Sequence, residues 1–188
     1  PLLLVSPGIM VDIKKLAHRV SKSGRYDGWV TLYLVRHAAA GHRSPFDDND
    51  LGRQLSDIGQ GQAGVLAQFF AEMPVRSVWS SLATRCLQTV GPIAAHHSLE
   101  VIAQPFLTEG ARPTDFLEAL RAEAPVDGDL VLCSHGDLIP DVLNRLLREG
   151  MSVVGPRGCE KGSVWSIETR GRDIVRASYT ARPIAGEG

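Results

Sequence analysis

Val30-Thr31-Leu32-Tyr33-Leu34-Val35, followed at once by Arg36-His37, is the stretch from which the fold follows. It is rich in β-branched and aromatic residues, and Thr31 is its one polar member. Leu130-Val131-Leu132-Cys133 repeats the pattern and runs into Ser134-His135-Gly136.

Outward from these two runs, strand-like and helical patterns alternate. Ala63, Leu66, Ala67 and Phe70 recur with helical period behind the cap candidates Ser56 and Asp57. Residues 75–79 form a short strand, and 83–95 read as a helix that Pro92 kinks. Residues 101–103 form another strand, and a helix carrying Phe116, Leu117 and Leu120 opens near Pro113-Thr114. Ile139, Val142, Leu143 and Leu146 line a helix that Gly150 ends, and 163–167 with 174–179 close the chain as paired strands. The expected fold is an α/β three-layer sandwich, a mostly parallel central sheet flanked by helices. Its 188 residues fit one domain over 30–188. The first 29 residues read as an N-terminal extension, with a short amphipathic helix through Ile13, Leu16, Ala17 and Val20 capped by Asp12.

Composition narrows the function classes. Twenty basic residues against 21 acidic ones offer no polyelectrolyte face, which argues against a nucleic-acid partner. Sixteen of the basic residues are Arg, a bias that codon usage explains as well as phosphate recognition does. Cys86, Cys133 and Cys159 form no CxxC pair and no zinc pattern, so they read as free thiols in a reducing, cytoplasmic setting. No apolar run reaches the ~20 residues of a membrane span.

In sheets of this kind ligands gather at the carboxyl ends of the strands. Arg36-His37, Ser80-Ser81 with Arg85 one turn later, Glu109 and His135 all follow strands. Taken singly, each reads as an ordinary loop or helix residue. Together their chemistry is coherent: neutral imidazole attacks phosphorus, and guanidinium groups fork phosphoryl oxygens. A second imidazole donates to the oxygens, and a carboxylic acid protonates the leaving group, with no metal or cofactor needed. Other polar residues fare worse. His42 reads as exposed, and His96-His97 end a helix. Asp47-Asp48-Asn49-Asp50 reads as a solvated loop at the pocket mouth, and Cys133 as core.

Leu34-Val35-Arg36-His37-Ala38 resembles the signature of the histidine phosphatase, or phosphoglycerate mutase-like, superfamily. The likeness runs from Thr31 to about Ile167. The segment from Leu51 to Gly59 resembles the family's entry to its first long helix, with Gln54 in place of Pro. Ser80-Ser81-Leu82-Ala83-Thr84-Arg85 resembles its second block, with Leu82 in place of Pro. Phe106-Leu107-Thr108-Glu109-Gly110 is similar to the block that supplies an acid, and the 131–136 run to that of the second histidine.

The resemblance implies a metal-independent phosphatase in which His37 becomes a phosphohistidine. Arg36 and Arg85 clamp phosphate, His135 completes the pocket, and Glu109 is proton donor and then base. Arg43 stands where the family often has a further phosphate contact. The compact body is most similar to SixA-type phosphohistidine phosphatases and to phosphatase domains found with Nudix hydrolases; no Nudix motif occurs in these residues. The implied substrate is a phosphorylated small molecule or a phosphoprotein. A mutase-like phosphotransferase and an inactive phosphate-binding module of the same fold stand as alternatives.

Overall fold

The computed structural model describes residues 2–6, 9–12, 29–43, 46, 50–124 and 128–183. Strands β1 (Leu2–Ser6) and β2 (Ile9–Asp12) make an antiparallel pair that forms its own two-stranded sheet. The sequence reading did not foresee this pair, and its helix at 13–20 lies outside the described residues. From β3 onward the described residues form a seven-stranded sheet and four α-helices.

β3 (Trp29–Arg36) runs beside β6 (Asp129–Ser134) in parallel, and β6 beside β4 (Val75–Ser80), which pairs with β5 (Val101–Ala103) at one edge. On the other side of β3, β8 (Val164–Arg170) and β9 (Asp173–Thr180) are antiparallel, and β7 (Ser152–Val154) closes the edge parallel to β9. The order is β5-β4-β6-β3-β8-β9-β7. The sheet is mostly parallel, as expected from sequence, with β8 alone running against its neighbours.

Both faces of the central strands are covered. Leu32, Leu34, Leu130 and Leu132 enter one core with Phe116, Leu117, Ile139 and Val142. These come from α3 (Pro113–Glu123) and α4 (Leu138–Arg148). The alternate residues Tyr33, Val35, Val131 and Cys133 enter a second core with Leu66, Phe70, Val90 and Ile93. Those last four lie on α1 (Asp57–Phe70) and α2 (Thr84–His96). Each strand face thus has its own layer of helices, the three-layer sandwich expected.

Caps and breakers act largely as read. Ser56 caps α1, its Oγ accepting the Gly59 N–H, and Pro113 opens α3 at a first-turn position. Gly150, at φ +103, ends the α4 segment. The α2 helix continues through Pro92 to His96. β7 escaped the sequence reading because it is three residues long, two of them exposed and one half-buried. No helix among the described residues is long and apolar enough to cross a membrane.

Candidate active site

Register explains why distant residues meet. Arg36 pairs with Ser134 across β3 and β6, so the next residues, His37 and His135, leave neighbouring strands at the same level. The His37 N–H donates to the Ser134 carbonyl (3.0 Å), and the Ser81 N–H to Cys133 (2.9 Å). The two imidazole rings stand 5.4 Å apart, edge to face.

The loop after His37 is fastened on two sides. Thr89 Oγ1 accepts the Ala38 N–H (3.0 Å), and Gln62 Oε1 accepts the Ala39 N–H (2.8 Å). The Ala39 carbonyl accepts the Ser56 N–H, and Gly59 presses so close that a Cβ there would stand 1.8 Å from that oxygen. Helices α1 and α2 thereby hold the histidine-bearing turn rigid.

His37 is 5% exposed, and its Nδ1–H donates to the Ala38 carbonyl (2.8 Å), leaving Nε2 as the unprotonated nitrogen. Burial pushes the imidazole down to about 3. The Ala38 bond pulls the other way, while the charges of His135, Arg85 and Arg36 add to the fall. Among the described residues, the fully buried side-chain nitrogens and oxygens without a partner are Arg36 Nε, Arg85 Nε and Ser163 Oγ.

Arg85 is 2% exposed. Its Nη1 donates to the Asp50 carbonyl (2.6 Å), and its Nη2 reaches both Glu109 Oε2 (2.8 Å) and His135 Nδ1 (3.2 Å). His135 Nε2–H donates to Ser81 Oγ (2.8 Å), which fixes the tautomer opposite to that of His37. Arg36 Nη1 donates to the Cys159 carbonyl (2.5 Å), and its guanidinium lies against Gly136, where a Cβ would be 2.5 Å from Cζ. Arg43 is exposed and stands 3.8 Å from both Glu109 and Asp50.

A cleft of ≈ 360 Å³ opens here, lined by Arg43, Arg85, Glu109, His135, Leu82 and Asp137 among others. Asp137 accepts the Gly110 N–H (2.7 Å). Burial disfavours its charge, but the backbone donors around it hold the carboxyl below its usual range. All six residues named from sequence thus gather at one rim.

One expectation is overturned. Asp50 is not part of a solvated run: it is 2% exposed and sits among Arg43, Arg53 and Arg85. Its companions Asp47, Asp48 and Asn49 lie outside the described residues. Ser81, Arg53 and Gly136, read only as pieces of motifs, hold the site together. The other minor readings stand: His42 is exposed, Cys133 is fully buried with its thiol pushed up by burial, and His97 donates to or accepts nothing at the cleft but bonds the Phe70 carbonyl.

Residues 32–112 match the model of the histidine phosphatase superfamily (branch 1), a span that holds the Arg36-His37, Arg85 and Glu109 segments. An 8-oxo-(d)GTP phosphatase of Mycolicibacterium smegmatis is 28% identical over 156 residues, which is 81% of this chain. Those residues are 48% of that protein, so the chain spans about half the length of the curated relative it matches. The protein histidine phosphatase SixA, solved with tungstate, shares the fold at a TM-score of 0.63 and 18% identity, covering 80% of this chain and 94% of that one. A mycobacterial glucosyl-3-phosphoglycerate phosphatase does so at 0.60 and 17%, covering 84% and 100%. The segment that carries the strand-end histidine and arginines thus matches the histidine phosphatase superfamily model over residues 32–112, and the fold around it is shared with these solved phosphatases.

Proposed function

We propose that residues 30–188 form a phosphatase domain that hydrolyses a phosphate monoester or phosphoramidate through a phosphohistidine on His37. The observation that carries this reading is the state of His37: a buried imidazole, low in pKa, whose one hydrogen bond occupies Nδ1 and leaves Nε2 a free nucleophile. The buried, unpartnered Nε–H groups of Arg36 and Arg85 support it further. Such donors cost about 1–3 kcal/mol each without an acceptor, and phosphoryl oxygens are suitable acceptors.

The Nε2 lone pair of His37 attacks phosphorus, the phosphorus–oxygen ester bond breaks, and its electron pair leaves on the alcohol oxygen. Glu109 donates the proton that oxygen needs. Water then attacks the phosphohistidine, Glu109 takes its proton, and the nitrogen–phosphorus bond breaks with the pair returning to Nε2. Without substrate Glu109 is paired with Arg85. A phosphoryl dianion that takes the Arg85 Nη2 replaces Glu109 as its partner and leaves that carboxyl beside the leaving group. Arg36, Arg85 and His135 hold the charge that the transferring group develops.

The substrate is read from the cleft and the relative together. Leu51, Leu82 and Ala83 give the cleft an apolar side, and the curated relative is named for a nucleotide substrate. Nucleotides therefore head a panel that also holds an aryl phosphate, sugar phosphates, phosphoglycerates and a phosphohistidine peptide. Run in excess chelator with His37→Ala alongside, the panel should show turnover by the wild type alone. Phosphate bound without turnover on any member would instead support a binding module.

A further inference from the structure

We infer that Asp50 is the positioning residue of the Arg85 clamp, acting through its backbone carbonyl and its carboxylate at once; the inference rests on the proposed phosphatase reading. Three observations converge on it. Asp50 holds φ at +45, a left-handed conformation rare outside glycine and tolerated best by Asp and Asn. That turn presents its carbonyl to Arg85 Nη1 at 2.6 Å. Its carboxylate, 2% exposed, is gripped by Arg53, with Nε 2.9 Å from Oδ1 and Nη2 2.7 Å from Oδ2, while Arg53 Nη1 donates to the Gly41 carbonyl. The same Oδ2 stands 3.4 Å from Arg85 Nη1 and 3.8 Å from Arg43 Nε.

The geometry assigns the two ends of the Arg85 guanidinium different tasks. Nη1 is anchored on Asp50, and Nη2 is turned to Glu109 and His135 on the cleft side. A guanidinium held at one end offers the other in a fixed orientation, so little rotamer freedom is lost when an oxyanion arrives. Arg53 in turn keeps the carboxylate from rotating. A buried negative charge so near a phosphate site opposes anion binding by simple Coulomb attraction and repulsion. Position and charge therefore predict opposite signs for one substitution.

Asp50→Asn tests this, because Asn keeps the size and the left-handed backbone while removing the charge. Binding of inorganic phosphate is measured by calorimetry for wild type, Asp50→Asn, Arg85→Gln and the double variant, with aryl phosphate turnover in parallel. The expected result is phosphate binding and kcat/KM both weakened by ~10-fold or more in Asp50→Asn, with little further loss when it is added to Arg85→Gln. Tighter phosphate binding, unchanged binding, or losses that simply add would overturn the positioning role. If Asp50→Asn does not fold, Arg53→Gln takes its place in the cycle and should show the same non-additivity. Wild type that binds phosphate without turnover would defeat the phosphatase reading alone, since the binding cycle still decides the role of Asp50.

Discussion

The two nitrogens of His37 have separate fates, and the separation has a cost in acid. The imidazole titrates near 3 when folded and near 6.5 when exposed, so between those values the unfolded chain binds the extra proton. Stability contributed by the neutral ring is present above pH ~6.5 and is lost as pH falls toward 3, with a limiting slope of about 1.4 kcal/mol per pH unit. Urea unfolding of wild type and His37→Gln across pH 4 to 7 should show a steeper acid loss in the wild type; equal slopes would refute the low pKa. At the same scale, Glu109→Gln should slow esters with poor leaving groups ~10²–10⁴-fold while sparing a nitrophenyl ester, because a good leaving group needs little protonation. Equal losses on both would remove Glu109 from the acid role. The sequence exposed these residues through chemistry at strand ends, yet it hid Asp50. Its acidic neighbours read as solvated, and nothing local shows that arginines from three places in the chain, 43, 53 and 85, converge on it. The Asp50–Arg53 spacing of three was the one available signal.

Among the elements, contact at glycine decides how the strand-end turns are held. Gly59 in the first turn of α1 lies so near the Ala39 carbonyl that a methyl group requires backbone movement. Gly59→Ala should lower stability by about 1–3 kcal/mol in urea unfolding, and an unchanged midpoint would show that the turn yields freely. Gly136 behaves differently, since its neighbour is the far end of the Arg36 side chain, which is able to move. Gly136→Ala should leave the unfolding midpoint within ±0.5 kcal/mol of wild type while kcat/KM drops ~10-fold or more. The strands and helices of this layer were legible because runs buried on both faces and helical stripes are strong periodic signals. The edge strand β7 and the reversal at β8 were not: strand direction is set by connections and edge pairing, which leave no pattern within the strand itself.

For the whole molecule, the sheet order brings the ends of β3, β6 and β4 together, and both histidines, Arg85 and Glu109 follow from that adjacency. The matched family segment ends at residue 112, whereas His135 lies beyond it and is placed by pairing of β6 with β3. Chemistry of this kind leaves a covalent trace that neither a binding module nor direct attack by water leaves. Wild type mixed with a turned-over phosphate ester, quenched in alkali within one turnover and digested for mass spectrometry, reads that trace residue by residue. An acid-labile phosphoryl group is expected on the peptide containing His37 and absent from His37→Ala. Turnover without that group, or with it on His135 instead, would contradict a phosphohistidine on His37.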